Sequence, residues 1–528
     1  MTRILALEGI TERGREILEA EGWQVDLEKA RPPAELAKMV GPYHAVLVRS
    51  GSRITEEVLE AASNLRVVGR PGVGVDNVDV AAATRRGVVV MNSPGGNMVS
   101  TAELAVALLL AVARNIPQAD ASIKSERWDR KSFAGVELSG KQIGVIGFGR
   151  IGREVASRCR ALGMRVLAYD PFVSQAVAET HHVQLTELDE LLQASDFITL
   201  HTNLTEQTRH LIGRRSLAKV KPGVRIVNAA RGALVDDEAL LEALESGRVA
   251  GAALDVHSKE PPQDWRLAKH PRVVATPHVG ASTREAQERV GTDIAIQVRD
   301  FLKGGVIQQA VNFFSFSSEF FDRVRPGLEL AERLGRFLGQ VCGGSIERVE
   351  VGLYGELAEL DVKPILAAAM AGVLKPLLGS HVSYVNSLAL AEESGIELIE
   401  SRASSPLAFS NLLVLRLETA DGDLSVAGTL FGRDHLRLVE VDGVDIDAIP
   451  AGHLLFIKNE DRPGVIGHMG TILGERGVNI ARMAVGRKPG SNRAIMILEV
   501  DGEVPAGALE QLHDVDGVRE VRAVSMED

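Results

Sequence analysis

The sequence is poor in cysteine and has no long apolar run. Its 528 residues include two cysteines, Cys159 and Cys342, which are far apart and lack CxxC or Cys/His ligand spacing. This pattern excludes a disulfide framework, offers no metal site and indicates a reducing compartment. The longest apolar runs, 104–113 and 365–374, fall short of the ~20 residues that span a bilayer. The N-terminus turns acidic at Glu8, too early for a signal peptide, so we expect a cytoplasmic protein without a membrane segment.

Positive charge is also in the minority. Lys and Arg number 59 against 71 Asp and Glu, which leaves a net charge of -12 at pH 7. A surface of this sign gains nothing from counterion release, so we expect neither a nucleic-acid nor an anionic-membrane partner. Hydrophobic residues at 45% and charged residues at 25% are ordinary for a globular protein, and the length predicts roughly three to five domains. Aromatic residues are only 4% and glycines number 52, which favours an aliphatic α/β core.

Short β-branched runs alternate with helix-length segments from the N-terminus to Asn312. Strands that are apolar throughout indicate a parallel sheet covered by helices on both faces. A capping box at Ser100-Thr-Ala-Glu103 predicts the start of one of these helices. The strands predicted in this way are 45–48, 66–68, 88–91, 142–146, 165–169, 197–200, 225–228, 252–255 and 272–275.

The pattern changes after Asn312, where an aromatic stretch at 313–321 marks a domain junction. Beyond it, the Asp-Gly pairs at 421–422 and 442–443 each lie between apolar runs. They predict two type I′ hairpin turns and therefore antiparallel sheet. From residue 452 onward the pattern is β-α-β-β-α-β, which is the order of the ferredoxin-like fold.

A glycine-rich turn follows the predicted strand at 142–146. Gly147, Gly149 and Gly152 have GxGxxG spacing, which allows the turn, the close approach of a pyrophosphate and the packing of a helix on the strand. Alone this motif is weak evidence, but the next predicted strand ends at Asp170. A carboxylate there accepts hydrogen bonds from both ribose hydroxyls and repels a 2′-phosphate. The combination predicts a dinucleotide site that takes NAD rather than NADP.

Three segments that follow later strands carry polar residues in unusual density. In an open parallel sheet such strand ends line one crevice, which brings Arg231, Glu260 and His278 together. Hydride transfer from a secondary alcohol needs a base such as His, a carboxylate that orients it, and a cation for the substrate's carboxylate. Each residue alone also suits a turn or an exposed surface, but together behind a dinucleotide fold they predict a dehydrogenase site. The segments are Asn228-Ala-Ala-Arg231-Gly232, Asp255-Val-His-Ser-Lys-Glu260-Pro261 and Thr276-Pro-His278-Val-Gly280.

These segments resemble the NxxRG, DVxxxEP and TPHxG signatures of the D-isomer-specific 2-hydroxyacid dehydrogenase family. Further matches at 70–79 and 280–287 extend the resemblance over essentially the whole chain. The overall arrangement is similar to the long form of the family, which carries an allosteric substrate-binding domain and an ACT domain. The departures are small, since His257 stands where Phe is usual and Pro71 and Val73 replace Ala and Thr. His257 is therefore open to confusion with the base.

The resemblance implies two Rossmann-like, doubly wound α/β domains followed by two smaller ones. A substrate-binding domain of residues 1–95 plus 289–312 is split around an NAD-binding domain of residues 96–288. An α+β domain similar to the allosteric substrate-binding domain (315–450) and a ferredoxin-like ACT domain (452–528) complete the chain.

The resemblance also implies an NAD-dependent enzyme in which Arg231, Glu260 and His278 are catalytic. The expected assembly is a homodimer or homotetramer, in which the basic, Trp-bearing stretch 124–131 reaches a partner subunit. A solvated loop is the alternative for that stretch. The residues implied to contact NAD are Val73, Gly147, Gly149, Arg150, Ile151, Gly152, Asp170, Thr202, Ala229, Ala230, Arg231, Asp255, His278 and Gly280.

Two arginines, Arg49 and Arg70, follow strands of the first domain beside the glycine-rich backbone at Gly72. With Asn97 and Arg231 they match the family positions that hold a phosphorylated acid. The implied reaction is oxidation of D-3-phosphoglycerate at C2 to 3-phosphohydroxypyruvate, the first step of the phosphorylated route to L-serine. Exposed surface arginines are the alternative for this pair. Alternatives for the whole chain are a hydroxypyruvate, glyoxylate or D-lactate reductase, or an NAD(H)-sensing corepressor or scaffold.

The last domain carries Asn459 and Asp461 before a predicted helix and Asn479 before the next strand. Such polar groups beside helix N–H groups suit an amino acid ligand, and the three match serine-contacting positions of feedback-inhibited ACT domains. L-Serine is therefore the expected effector, and an ACT domain that only dimerises is the alternative. In the domain before it, the candidates for an anion site are left open as Lys363, Lys375, Arg402 and Arg433.

Overall fold

The computed structural model describes residues 1–8, 10–315, 318–379, 381–403, 409–432, 434–488 and 490–527. Four β-sheets follow one another along these ranges, which agrees with the mixed α/β class expected from the sequence. No single helix in the described ranges is long and apolar enough to cross a bilayer. The adjoining helices Met98–Arg114 and Ile116–Lys124 meet that length and composition together, but they are bent by 65° at their junction.

The first sheet is parallel, as its apolar strands predicted. Its strands are β1 (Arg3–Leu7), β2 (Gln24–Glu28), β3 (Ala45–Leu47), β4 (Val67–Arg70) and β5 (Val89–Asn92), and its helices are α1 (Glu12–Glu19), α2 (Pro33–Met39), α3 (Glu56–Ala61) and α4 (Val80–Arg85). The strand order is β2-β1-β3-β4-β5, and each of these pairings is parallel. Because the strands run in one direction, Arg49 and Arg70 follow neighbouring strands at the same edge.

The second sheet is also parallel and has the order β12-β11-β10-β9-β6-β7-β8. Since β6 lies between β7 and β9, the order reverses there and opens a crevice at the carboxyl ends of the strands. The elements are α5 (Met98–Arg114), α6 (Ile116–Lys124), β6 (Gln142–Ile146), α7 (Arg150–Ala161), β7 (Arg165–Tyr169), α8 (Gln175–Thr180), β8 (Gln184–Leu185), α9 (Leu188–Ala194), β9 (Phe197–Leu200), α10 (Arg214–Lys219), β10 (Val224–Asn228), α11 (Asp237–Glu245), β11 (Val249–Leu254), β12 (Val273–Ala275) and α12 (Arg284–Gly304).

The start of α5 differs from the one expected from the capping box. The helix begins at Met98, two positions before Ser100, and the Ser100 hydroxyl donates to the carbonyl of Asn97 at 3.0 Å. The prediction that Ser100 caps this helix is therefore wrong.

Helix α12 joins the first two sheets. Its N-terminus is capped by Thr283, whose hydroxyl accepts from the Ala286 N–H, beside the crevice of the second sheet. Its middle packs on the first sheet so closely that a Cβ on Gly69 would lie 2.9 Å from Ile294. The boundary expected at 288/289 therefore falls inside one continuous helix that packs on the first sheet.

The third sheet is mixed, in the order β14-β13-β15-β16-β17-β18. Its elements are α13 (Ser318–Val341), β13 (Ile346–Gly355), α14 (Val362–Leu378), α15 (Ser387–Glu393), β14 (Glu397–Ala403), β15 (Asn411–Thr419), β16 (Leu424–Phe431), β17 (His435–Val441) and β18 (Val444–Ala448). The pairing of β13 with β14 is parallel and the others are antiparallel.

The two predicted hairpin turns differ. Asp442 and Gly443 have φ angles of 50° and 72°, as a two-residue type I′ turn requires. In the other pair only Gly422 has a positive φ, and its N–H donates to the Thr419 carbonyl at 3.0 Å within a four-residue connection. The type I′ prediction for the pair at 421–422 is therefore wrong, although the strands that flank it do pair.

The last sheet is antiparallel in the order β20-β21-β19-β22, which is the ferredoxin-like order. Its elements are β19 (His453–Glu460), α16 (Val465–Glu475), β20 (Ile480–Arg487), β21 (Arg493–Val500), α17 (Ala506–His513) and β22 (Val518–Ser525). One face packs on α16 and α17. The other face packs on α13, where the rings of Phe337 and Phe456 meet edge to face at 5.5 Å.

A short loop before α15 fastens the third sheet's domain to the first. The Ser383 hydroxyl donates to the Gly87 carbonyl at 3.0 Å, and the buried Asn386 amide donates to the Arg85 carbonyl at 3.0 Å. Gly87 has a φ of 69°, and a Cβ there would lie 2.7 Å from Ser383. The turn between α4 and β5 is thus held against the later half of the chain.

Candidate active site

The glycine-rich turn between β6 and α7 has the features of a pyrophosphate cradle. Gly147 has a φ of 92°, and a Cβ on Gly152 would collide with the Gly147 carbonyl, so helix and strand pack closely only with glycine there. Among the described residues other than Gly149 and its two chain neighbours, no atom lies within 4 Å of the place where a Cβ on Gly149 would stand. The N-terminus of α7, at Arg150 and Ile151, has no side-chain cap and leaves N–H groups for an anion.

Asp170 follows β7 at the rim of this turn. Its carboxylate accepts the Phe148 N–H at 2.8 Å and the Phe172 N–H at 2.9 Å, which fixes its orientation and leaves further lone pairs for ribose hydroxyls. These features fit a dinucleotide.

The remaining positions expected to contact NAD lie around the same crevice. Thr202 follows β9, and its backbone nitrogen stands 2.8 Å from where a Cβ on Gly147 would lie. Ala229 and Ala230 follow β10. Val73 approaches from the first domain, where its carbonyl accepts from the Asn92 amide at 2.5 Å.

Glu260 and His278 form a hydrogen-bonded pair across two loops of the second sheet. The Nδ1 atom of His278 lies 2.6 Å from a Glu260 carboxylate oxygen. This bond raises the pKa of His278 against the opposing effect of burial, and the negative charge of Asp255 adds to it. Burial alone would raise the pKa of Glu260, but the bonds from His278 and from the His257 N–H hold it below its ordinary value. The pair can therefore accept a proton and stabilise the imidazolium that forms.

Asp255 holds the backbone that presents His278. Its buried carboxylate accepts from the Thr276 hydroxyl at 2.6 Å and from the N–H groups of Val279 and Gly280 at 2.9 Å each. His278 itself has a φ of 54°, which is costly for a residue with a Cβ. The three hydrogen bonds to Asp255 fix the backbone of this turn, and they hold His278 in its strained conformation.

His257 does not occupy the position of the base. Its Nε2 lies 3.1 Å from the Thr276 carbonyl oxygen, and its backbone N–H donates to Glu260 at 3.1 Å. The ring therefore braces the two loops that carry the pair.

Three arginines converge beside this pair from both domains. Burial lowers the pKa of Arg70, and the positive charges of Arg231 and Arg49 lower it further, whereas Asp76 opposes them. Arg231 also acts on His278, whose pKa its charge lowers. Arg70 is held by the side chain of Asn77, which accepts from its Nε at 3.2 Å. A cluster of this charge suits a substrate that carries several negative charges.

Two further groups at this edge bear on a ligand. The side-chain oxygen of Asn97 is buried and has no hydrogen-bond partner among the described residues, so it can accept a hydrogen bond from a ligand. Gln287, which the sequence analysis did not single out, accepts from the Arg49 guanidinium and donates to the Ala281 carbonyl at 2.8 Å. Gln287 stands in the matched segment 280–287, but its spacing alone carried no signal of this contact. Gly72, with a φ of 152°, packs against Arg70.

An apolar pocket of about 410 Å³ is lined in part by Glu260 and His278. Trp265 and three prolines, Pro261, Pro262 and Pro277, also line it. The other lining residues are His257, Ala268, Ala275 and Thr276.

The expected effector residues do not form one cluster within the chain. Asn459 is 4% exposed, and its side-chain oxygen is buried without a partner among the described residues. Asp461 lies beside it and pairs with Arg487 at 3.2 Å. Asn479 donates instead to Asp501 at 2.8 Å.

The strand register separates these groups. Glu460 pairs with Arg493 at one end of the sheet, whereas Ile480 and His453 both pair with Val500 at the other. Asn479 therefore lies a full strand length from the other two residues.

The candidates for an anion site in the third sheet's domain are likewise dispersed. Lys363 and Lys375 lie at opposite ends of α14, and Arg402 is on β14. Arg433 lies outside the described residues.

Three family models match successive parts of the chain between residues 106 and 517. Residues 106–280 match the family described as D-isomer specific 2-hydroxyacid dehydrogenase, NAD binding domain. Residues 323–442 match the D-3-phosphoglycerate dehydrogenase intervening domain, and residues 453–517 match the ACT domain. The NAD cofactor and the regulatory class of the last domain agree with the sequence analysis.

Similar proteins and structures carry related names. D-3-phosphoglycerate dehydrogenase from Archaeoglobus fulgidus is 44% identical over 528 residues, covering 99% of this chain and 100% of the relative. The enzyme of the same name from Synechocystis is 42% identical over 527 residues, covering 100% and 95%. The crystal structure of D-lactate dehydrogenase from Aquifex aeolicus complexed with NAD and lactic acid is 28% identical with a TM-score of 0.52, covering 57% of this chain and 96% of that one. The chain therefore belongs to the D-isomer-specific 2-hydroxyacid dehydrogenases and, among these, to the D-3-phosphoglycerate dehydrogenase family.

Proposed function

We propose that the chain oxidises D-3-phosphoglycerate to 3-phosphohydroxypyruvate with NAD, at the head of the phosphorylated route to L-serine. The observation that carries this proposal is the convergence of the Glu260–His278 pair with Arg231, Arg70 and Arg49 beside the nucleotide turn. The base accepts the hydroxyl proton that is lost when a carbon bearing a hydroxyl group is oxidised. The arginines suit an acid that also bears a phosphate.

Bound NAD supplies the hydride acceptor in this reaction. His278 takes the proton of the C2 hydroxyl through Nε2, because Nδ1 is bonded to Glu260. Arg231 binds the substrate's carboxylate, which is attached to the reacting carbon and must therefore lie near His278. Arg70 and Arg49 bind the phosphate on the next carbon. Asp255 keeps His278 in place, and Asn97 and Gly72 complete the wall of the cleft.

A steady-state assay tests this proposal. NADH oxidation is measured with phosphohydroxypyruvate and, separately, with hydroxypyruvate, glyoxylate and pyruvate. We expect the phosphorylated acid to give the highest kcat/KM. Faster reduction of hydroxypyruvate would favour a glyoxylate/hydroxypyruvate reductase instead, and no turnover with any acid would favour an NAD(H)-sensing scaffold.

Glu260→Gln should move the pH dependence of the reaction. The substitution removes the negative partner that raises the pKa of His278, so that pKa falls. Reduction needs the imidazolium and slows as pH rises through the pKa, so its descending limb should move to lower pH. Oxidation needs the neutral ring, and its ascending limb should move in the same direction. The pH profiles of kcat/KM in both directions measure this shift. Profiles that do not move would show that Glu260 does not control the pKa of His278.

The domain division that we propose is residues 1–95 plus 289–312, 96–288, 315–450 and 452–528. Two observations support it: the order of the four sheets and the passage of α12 from the crevice to the first sheet. In this arrangement Arg49 and Arg70 of the first domain face a substrate held at Arg231 of the second.

We also propose a homo-oligomer, a dimer or tetramer. Trp128 is 81% exposed in the basic stretch 124–131, which suits a contact with a partner subunit. Strand β20 is an edge strand and half of its residues are exposed, which leaves its backbone groups for a second chain.

Pairing of two β20 strands would explain why the effector residues are apart. An antiparallel pairing centred on Met483 of β20 places Asn479 of one chain opposite Arg487 of the other. Since Arg487 lies on Asp461, the partner subunit's Asn479 would then reach the same end as Asn459. We infer that two such shared sites bind L-serine, with its carboxylate near the N-terminus of α16.

Asn459→Ala should weaken L-serine binding roughly 10- to 100-fold, because the ligand loses hydrogen bonds to a buried amide. Isothermal titration calorimetry and inhibition of NADH oxidation should report the same loss. Asn64→Ala, at an exposed amide of the first domain, serves as the control and should leave the response unchanged. A wild-type activity curve that stays flat up to millimolar L-serine would reject the effector, and the ACT domain would then serve assembly alone.

A further inference from the structure

The guanidinium of Arg231 is already occupied by groups of the protein. Its Nε lies 3.3 Å from a carboxylate oxygen of Asp76, and its Nη1 donates to the Ala230 carbonyl at 2.8 Å. Its Nη2 lies against Gly74, where a Cβ would collide with it. A carboxylate binds an arginine through two neighbouring nitrogens, so a substrate needs one edge of this group to be vacated.

Asp76 places that oxygen beside Nε, at one edge of the guanidinium. The same Asp76 oxygen lies 2.7 Å from where a Cβ on Gly74 would stand, so Gly74 lets the aspartate and the arginine meet. Asp76 is 71% exposed, whereas Arg231 is only 28% exposed. The aspartate is thus the partner that can move away, and the arginine is the one that remains in place.

Asp76 also offsets positive charge in the cluster of arginines. Arg231 and Arg49 both stand close enough to Arg70 for their charges to repel it, and of the two carboxylates that offset this repulsion Asp76 acts more strongly than Glu8. A phosphorylated hydroxy acid brings its own negative charges and makes the offset unnecessary once it binds.

We propose that Asp76 is a built-in stand-in for the substrate's carboxylate, which displaces it from Arg231 on binding. This inference rests on the proposed role of Arg231 as the carboxylate ligand. Asp76 is then a specificity-determining residue. An acid that cannot bind two neighbouring nitrogens of Arg231 does not displace the aspartate from the arginine.

The Asp76 carboxylate is largely exposed, so its pairing with Arg231 is weak and the expected effect is small. Asp76→Asn removes the competing charge, so KM should fall about two- to fivefold for phosphohydroxypyruvate and by a similar factor for hydroxypyruvate, since both carry the carboxylate. kcat should be little changed. Asp76→Glu restores a carboxylate and should return KM toward the wild-type value.

Asp447 offers a matched control. It pairs with the Nε of Arg437 at 3.4 Å, with 75% and 23% of the two side chains exposed, and it lies in the third sheet's domain. Asp447→Asn makes the same change in net charge at a distance from the site and should leave KM unaltered.

Three results would overturn the proposal. A higher KM with a lower kcat in Asp76→Asn would mean that Asp76 orients Arg231, and an unchanged KM would mean that the pair has no role in binding. A KM decrease that persists when Asp76→Asn is combined with Arg231→Gln would show that the effect bypasses the arginine. The role of Arg231 is judged separately, because Arg231→Gln alone should raise KM for both substrates.

Discussion

His278→Asn should lower kcat by about 10²- to 10⁴-fold in both directions while NADH still binds. Asparagine keeps a polar side chain of similar size but cannot take up a proton near neutral pH. The cofactor's phosphates lie by proposal at the turn of Gly147 and α7, away from the imidazole, so their binding should survive. Stopped-flow turnover and quenching of protein fluorescence by NADH measure the two properties separately.

His257→Asn is the control for this experiment. The His257 ring meets the Thr276 carbonyl rather than the cleft, so its loss should have a far smaller effect on kcat. If His257→Asn were the more damaging change, the base would have been misassigned. Loss of NADH binding in His278→Asn would instead mean that the histidine holds the cofactor.

Arg70→Met should reduce kcat/KM for phosphohydroxypyruvate by roughly 30- to 1,000-fold, which corresponds to about 2–4 kcal/mol for removal of one partner of a buried charge pair. For hydroxypyruvate, which has no phosphate, the change should be small. The ratio of the two kcat/KM values is therefore the quantity to measure. Methionine retains most of the apolar stem, so the packing of that stem is largely preserved, whereas the contact of the guanidinium with Gly72 is lost.

Arg70→Lys separates charge from geometry at the same position. Lysine keeps the charge but lacks the fork and loses the bond to Asn77, so an intermediate ratio is expected. An equal loss with both substrates would assign Arg70 to the structure of the cleft rather than to the phosphate.

The parts of the site that were predictable from the sequence are those fixed by the parallel sheets. Every strand of such a sheet ends at the same edge, so Glu260 and His278 had to approach each other once the strands before them were recognised. The turn at Gly147 and the carboxylate of Asp170 follow from the same rule. The structure adds that Glu260 and His278 lie within hydrogen-bond distance of each other.

Other contacts could not be predicted from the sequence, because they join segments that no periodic pattern relates. Gln287 meets Arg49, and Asp76 meets Arg231, across the cleft between the first two domains. Neither pair has a spacing that a sequence pattern records. The location of Asn479 at the far end of the last sheet depends on strand register, which is set by the packing of both faces and not by the motif itself.

Two predictions of local structure were wrong, and each error has its cause in the neighbouring residues. Ser100 and Glu103 fit the spacing of a capping box, but the helix had already begun at Met98, where the preceding loop meets the crevice. At 421–422 the Asp-Gly pair suited a tight turn, yet a longer connection satisfied its backbone through the hydroxyl and carbonyl of Thr419.

The packing of α13 has a consequence for how the C-terminal part of the chain behaves as a unit. Phe337 on this helix and Phe456 of the last sheet belong to one continuous apolar core with the third sheet. Arg336 and Gln340 also bond the backbone at 525–527. A chain cut before β19 would leave that face of α13 in water, so the last domain is not a detachable module. We expect residues from α13 to β22 to unfold in one cooperative step, and a ligand that stabilises the last sheet should raise the Tm of both domains together.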